Sequence, residues 1–199
     1  MTVVRIIGNA PSACEGLDEN FQGVFLGINS APLLFHQHQM ICPNCLVQDW
    51  RFFEEKGHLF LENGVDLSKT DLYACSYFRR PQLKFRNIKF IRSLGRAGLS
   101  LNPNIGIFEG YSVAYGALQI ALRWKPEKIE VYGVDFSYSL GGNRFYQTRV
   151  GWDLDLHVHE KQIEQIQRAK HAIETQKGIS VKFMTDSFVN TMIPSENIC

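Results

Sequence analysis

Apolar residues fall into short continuous blocks separated by longer stretches in which they recur every three or four positions. The blocks predict buried strands at residues 3–7, 23–28, 45–48, 59–61, 71–75, 128–134 and 179–183. The longer spacing predicts helices over residues 51–56, 109–124 and 157–176, with the second of these, rich in small residues, buried against a sheet. This alternation predicts one α/β domain over residues 1–199, with a mostly parallel sheet and helices on both faces.

The end of the first predicted strand is a candidate binding turn. Gly8 interrupts the apolar block, Asn9 suits a turn or left-handed conformation, and Pro11 suits a first helical position beside Ser12. Free backbone N–H groups at such a helix end attract phosphate. The same residues also fit a tight turn that binds nothing, and the sequence alone leaves both interpretations open.

Other polar residues follow later predicted strands. Asn29, Asp49 and Asp135 each come directly after a strand, and Phe136 follows Asp135. Ligands of open parallel sheets bind beyond the carboxyl ends of the strands. We therefore expect these side chains and Asn9 to face one site.

The segment over residues 137–156 predicts an active-site lid. It is long, has no helical or strand pattern, and contains Tyr138 and Tyr146, although both hydroxyls could equally be exposed to solvent. His157 and His159 then open the last helix, whose dipole disfavours the imidazolium form and keeps the ring able to accept a proton. One of these two histidines is the candidate general base.

Composition narrows the class of partner. The net charge is +1, so the protein has no strong positive electrostatic field that would attract nucleic acid. We therefore expect the partner to be a small molecule. No run of about 18 apolar residues occurs, and the start of the chain predicts a strand, so we expect a cytoplasmic protein. Location at the membrane surface and homo-oligomer formation stay open.

Residues 77–96 form a basic segment with interleaved aromatic residues. Two interpretations of this segment stay open, a solvated face and an anion-binding patch.

Five cysteines, an odd number, favour free thiols in a reducing compartment. Four side chains that could bind zinc lie within ten residues of one another, namely His36, His38, Cys42 and Cys45. A single pair of cysteines with two residues between them is a weak signal, so we predict no metal at this cluster.

In order, these features resemble the bacterial sialyltransferases of glycosyltransferase family 42. The resemblance covers nearly the whole chain. In its first half it rests on residues 8–12, the strand ending in Asn29 and residues 49–55. In its second half it rests on Gly110 opening the Ala-rich helix, residues 129–136, tyrosines in the following loop and a histidine starting the final helix. It implies a Rossmann-like fold and an inverting, metal-independent transfer of sialic acid or a related sugar from a CMP-sugar to a glycan acceptor, in surface polysaccharide or lipooligosaccharide assembly.

The resemblance also implies site roles. Asn9 and Asn29 would contact the CMP phosphate and ribose, with Gly110 and Phe136 near the nucleotide. Tyr138 and Tyr146 would donate hydrogen bonds to the leaving phosphate, where neutral donors stabilise developing charge without a metal. His157, aligned through Ile163, would be the base, and a slip of two residues would exchange it with His159.

Three residues depart from the family pattern. Asp49 stands where the family has an asparagine, Glu109 replaces the serine before Gly110, and the arginine preceding that pair is missing from residues 104–108. Two other functions therefore stay open. One is an ATP- and magnesium-dependent phosphotransferase like the pterin diphosphokinases, which share a similar opening turn. The other is a nucleotide-sugar-binding protein that has lost turnover.

Overall fold

The computed structural model describes residues 2–49, 51–76, 82–134 and 156–184. Its centre is a seven-stranded sheet in which every described pairing is parallel, as predicted. The strands are β1 (Val3–Ile7), β2 (Val24–Ile28), β3 (Asn44–Val47), β4 (Asp71–Cys75), β5 (Asn87–Ile91), β6 (Lys128–Tyr132) and β7 (Ser180–Phe183).

Helices cover both faces of this sheet, which confirms the predicted α/β architecture. They are α1 (Ala31–Gln37), α2 (Phe52–Glu62), α3 (Val113–Ala121) and α4 (Leu156–Lys177), with short 3-10 helices at Pro11–Gly16 and Leu122–Trp124. Successive side chains of a strand point to opposite faces. Accordingly Ile6 packs in one core with α3 and α4, whereas Ile7 packs in a second core with α1 and α2.

The order of the strands is β5-β4-β3-β2-β1-β6-β7. The chain moves outward from β1 to β5 and then returns to place β6 on the other side of β1. This reversal makes β1 and β6 the topological switch point, beside which open parallel sheets bind ligands at their carboxyl edge. Ile7 lies opposite Gly27 in the β1–β2 register, so Asn9 and Asn29 leave the sheet at the same edge.

Two details of the predicted structure are wrong. Residues 59–61 were predicted as a strand but complete α2, because Phe60 repeats the helical spacing of Phe52 and both side chains are buried. The strand β5 was not predicted, because it lies at the sheet edge and most of its side chains are exposed or half-buried.

Within the described residues, no helix is both long and apolar enough to cross a membrane. The expected single domain and cytoplasmic location stay predictions, and homo-oligomer formation stays open.

The β4–β5 edge is held by charges around Asp71, whose side chain is 6% exposed. Arg86 Nε lies 2.6 Å from Asp71 Oδ1, and Lys89 Nζ lies 2.6 Å from Oδ2. The hydrogen bond from Arg86 is the main cause that holds the pKa of Asp71 well below its ordinary value. A carboxyl group with a lowered pKa stabilises the folded state above its unfolded pKa, near 3.9, and this contribution is lost as the pH falls.

We expect Asp71→Asn to lower the free energy of unfolding by about 2 kcal/mol at pH 7, since a hydrogen-bonded charge is lost. The difference from wild type should shrink as the pH falls below about 4. Urea unfolding at pH 7 and at a pH below about 4 measures this difference in the free energy of unfolding. The substitution Glu62→Gln, at an exposed carboxylate, is the matched control. A difference that did not change with pH would contradict the role of the charge.

Candidate functional site

A cleft of about 670 Å³ opens at the carboxyl edge of the sheet, beyond β2 and β3 and against the start of α3. It brings together three of the predicted site residues, Asn29, Asp49 and Gly110. The described residues that line it are Asn29, Gln48, Asp49, Arg51, Arg96, Glu109, Gly110, Tyr111, Ser112 and Val113. The cleft therefore combines amide, hydroxyl and charged groups and is large enough for a small molecule.

Asn29 enters the cleft with an unusual backbone. Its φ is 51°, in the left-handed region that asparagine tolerates better than most residues. Its N–H donates to Leu46 O at 3.0 Å, and its carbonyl accepts from Cys45 Sγ at 3.6 Å. Because the backbone groups are engaged and the side-chain amide has no hydrogen-bond partner among the described residues, that amide is available to a ligand.

Asp49 forms a two-pronged ion pair with Arg51. Arg51 Nη2 lies 2.8 Å from Oδ2, its Nε lies 3.1 Å from Oδ1, and its backbone N–H donates to Oδ1 at 3.0 Å. The hydrogen bond from the Arg51 side chain is the main cause that lowers the pKa of Asp49. Asp49 is therefore ionised near neutral pH, but an adjacent guanidinium balances its charge, which reduces its repulsion of a phosphate.

The opposite wall of the cleft is built from two segments that are distant in sequence. Ser93 pairs with Ile107 in an isolated parallel bridge, Glu109 N donates to Gly95 O at 2.8 Å, and Ser93 Oγ donates to the Glu109 carboxylate. These bonds bring Arg96 and Glu109 into the lining of the same cleft. Arg96 has no ion pair with a described residue, so it can offer its charge to an anion.

Gly110 is required by local geometry. Its φ is +62°, and a Cβ atom there would lie 2.6 Å from the Tyr115 ring and 2.7 Å from Gln165 Oε1. Gln165 Oε1 accepts from Tyr111 N at 3.1 Å, and Gln162 Nε2 donates to Tyr111 O at 2.7 Å. Two glutamines of α4 thus fix the backbone that forms this part of the wall.

The start of α3 differs slightly from its prediction. The helix was expected from residue 109 or 110 but begins at Val113, and Ser112 caps it by accepting from Ala114 N at 3.2 Å. Serine is among the preferred residues at this position. Ser112 and Val113 line the cleft, so the start of this nine-residue helix faces it, and the helix dipole there favours an anion.

The turn after β1 is packed more tightly than the sequence predicts. The N–H of Gly8 donates to Tyr132 O at 2.7 Å, and those of Asn9 and Ala10 both donate to Gly133 O at 3.0 Å. These three N–H groups, which precede the helix end, are therefore engaged within the fold, and the predicted contacts of Gly8 and Asn9 with a ligand stay predictions. Pro11 does open a helix, but it is a 3-10 helix of six residues. Binding by Pro11 and Ser12 stays a prediction.

Two side-chain atoms near the ends of β1 and β2 are buried with no hydrogen-bond partner in the described part of the chain. They are Asn9 Oδ1 and Ser30 Oγ. Nearly all buried polar atoms in proteins are hydrogen-bonded, and unsatisfied ones occur at sites that a ligand or water completes. Asn9 is not among the described residues that line the cleft, so its predicted contact with the same ligand stays untested.

Several predicted site residues lie outside the described residues, namely Asp135, Phe136, Tyr138, Tyr146 and most of the lid segment 137–156. His157 and His159 do fall within the first turn of α4, as expected, but their side chains lie outside the described part. Their roles stay predictions.

The cluster of histidines and cysteines does not form a shared set of ligands. Cys42 and Cys45 are buried, and burial raises the pKa of the Cys42 thiol to about 12, whereas His36 and His38 are exposed. Within the described ranges, no three His, Cys, Asp or Glu side chains are grouped to hold a metal ion.

Sequence reasoning missed Gln48, Arg51 and Arg96 as site residues. Gln48 and Arg51 flank Asp49 and could have been inferred from the strand end. Arg96 belongs to the basic segment 77–96, but nothing in the sequence places it at this cleft, because its approach depends on the bridge between Ser93 and Ile107.

Comparisons with known proteins leave the family open. No known protein family matches the chain, and no curated protein matches it. A solved structure of thiamine pyrophosphokinase from Bacillus subtilis aligns with 92% of this chain at 11% identity and a TM-score of 0.37. The chain aligns with 60% of that protein's length.

Proposed function

We propose that this protein is a glycosyltransferase that uses a CMP-activated sugar, sialic acid or a relative, and transfers it to a glycan acceptor without a metal. The observation that carries the proposal is the cleft at the carboxyl edge, in which Asn29, Asp49 and Gly110 line one cavity. The resemblance to family 42 implies that Asn29 and Gly110 lie near the nucleotide, and Asp49 is expected at the same edge because it follows a predicted strand.

The charges of the cleft suit a nucleoside monophosphate ester. Its lining holds two carboxylates, Asp49 and Glu109, and two guanidinium groups, Arg51 and Arg96. Arg51 is engaged with Asp49, which leaves Arg96 and the first turn of α3 to attract the phosphate. Arg96 would thus supply the positive charge of the family arginine that is missing from residues 104–108.

The chemistry proposed for the reaction needs few protein groups. As the bond between the sugar and CMP breaks, negative charge grows on the departing phosphate, and fixed donors stabilise it. Asn29 and Arg96 would provide such donors within the described cleft, with Tyr138 and Tyr146 completing them. His157 would accept the proton of the acceptor hydroxyl as that oxygen attacks the sugar.

Thermal unfolding with a panel of nucleotides tests the nucleotide site. With EDTA present, CMP at 100 times its dissociation constant should stabilise the fold by about 2.7 kcal/mol, and UMP, AMP and GMP at the same concentration should stabilise it less. Equal shifts for all four nucleotides, or no shift, would contradict a cytidine site. A shift that required ATP together with magnesium would favour the phosphotransferase instead.

Asn29→Gly is the matched variant for this panel. Glycine adopts the positive φ of residue 29 without strain, so the fold is kept while the amide is removed. We expect about tenfold weaker CMP binding, equivalent to ~1.4 kcal/mol. Unchanged affinity would remove Asn29 from the site.

A further inference from the structure

A second cavity, of about 470 Å³, lies at the opposite edge of the sheet from the candidate active site. Lys125 precedes β6 and Ile179 precedes β7, so the cavity opens at the amino ends of these strands. Parallel sheets place their active sites at the carboxyl edge, so this cavity is separate from the proposed transferase chemistry.

Three cations from three elements surround this second cavity. Arg123 belongs to the 3-10 helix that follows α3, Lys125 to the turn before β6, and Lys177 is the last residue of α4. All three side chains are exposed, and none forms an ion pair with a described residue. No carboxylate occurs among the described residues that line the cavity.

The nearby Glu174 is engaged elsewhere. Its carboxylate lies 2.6 Å from Lys170 Nζ and accepts from Val181 N at 3.1 Å. With no carboxylate in the described lining, the positive charges of this cavity are not balanced locally. An anion bound in the cavity would gain favourable charge interactions with them.

The remaining walls of the cavity are partly apolar. Leu101, Leu122 and Ile179 contribute to them. A ligand that satisfies the whole cavity therefore joins an anionic group to an apolar body. Arg123 Cζ also lies 5.9 Å from the centre of the Tyr73 ring, so its guanidinium is shared with that ring. Phosphate is an anionic group that suits a cavity lined by several cations, because its three or four oxygens can be shared among them.

We propose that this second cavity binds a phosphate ester carried on an apolar chain. Such a group is found both in the headgroup region of anionic phospholipids and in soluble alkyl phosphates. The two sources share the chemistry that the cavity recognises, and binding experiments can separate them.

The test variant is the triple substitution Arg123→Gln, Lys125→Gln, Lys177→Gln. The matched control, Lys69→Gln, Arg92→Gln, Lys182→Gln, removes one arginine and two lysines that are also exposed but lie outside the cavity. Both variants change exposed side chains only, so both should fold, which circular dichroism checks. The probes are hexyl phosphate, measured by calorimetry, and phosphatidylcholine vesicles with and without phosphatidylglycerol, measured by flotation.

We expect the wild-type protein to bind hexyl phosphate, the cavity variant to bind it at least tenfold more weakly, and the control to stay within threefold of wild type. Vesicle binding that requires phosphatidylglycerol and is lost only in the cavity variant would assign the membrane lipid as the source. Binding of hexyl phosphate without vesicle binding would assign a soluble ester. Absence of binding to both probes, or equal loss in both variants, would overturn the proposal.

Discussion

Replacing His157 with alanine should lower turnover of a CMP-sugar by about a hundredfold to ten-thousandfold, the range typical of removing a general base. The expectation rests on the resemblance of the chain to the family 42 sialyltransferases and on the position of His157 in the first turn of α4. CMP binding should change little, because a base that contacts the acceptor hydroxyl does not hold the nucleotide. Steady-state kinetics and CMP titration together separate these effects.

His159→Ala is the control for this prediction and should be nearly silent. Both residues lie in the same turn of the same helix, so the two variants perturb the fold similarly. If their effects were exchanged, the register would be wrong while the mechanism remained. Full transferase activity in both variants would contradict a histidine base at this position.

Gly8→Ala should destabilise the protein strongly, by about 3 kcal/mol, which corresponds to a Tm lower by roughly 10 °C. A Cβ at residue 8 would lie 2.1 Å from Gly133 O and 2.6 Å from Gly133 C. These are backbone atoms held by the hydrogen bonds between the β1 turn and the end of β6, so they cannot rotate away. The two central strands would have to separate.

The matched control for Gly8 is Gly57→Ala within α2. There a Cβ meets its nearest atoms at 3.8 Å, an ordinary contact, and alanine favours a helix over glycine by about 1 kcal/mol. Urea unfolding of both variants should therefore give changes of opposite sign. A Gly8→Ala protein as stable as wild type would show that the close approach of β1 and β6 is not required.

The sequence predicted the central strands well, since β1 has β-branched residues at four of its five positions and β6 contains the buried Ile129 and Val131. It failed at residues 59–61, because three apolar residues in a row fit a strand and the end of an amphipathic helix equally. The edge strand β5 was missed because Ile91 is its one buried side chain and the strand lies within the basic segment 77–96, which is interpreted as a solvated face or an anion-binding patch.

The candidate site was predictable where it depends on strand ends and not where it depends on loop folding. Asn29 directly follows β2, and Asp49 follows β3 after Gln48, so the sheet topology alone places them at one edge. Arg96 reaches the same cleft only because residues 93–95 bond to residues 107–109. The ion pair between Asp49 and Arg51 likewise depends on side-chain geometry, and it changes the expected effect of Asp49 on a phosphate.

Release of CMP from CMP-sialic acid in the presence of EDTA is the measurement that tests the proposed function most directly. It requires donor binding and cleavage of the bond between the sugar and CMP without a metal, and it does not depend on knowing the glycan acceptor. The account predicts CMP release well above the rate in buffer, and at least a hundredfold slower release by His157→Ala. The protein sample must first be shown to bind CMP. If such a sample released CMP no faster than buffer does, the assignment as a transferase would be contradicted.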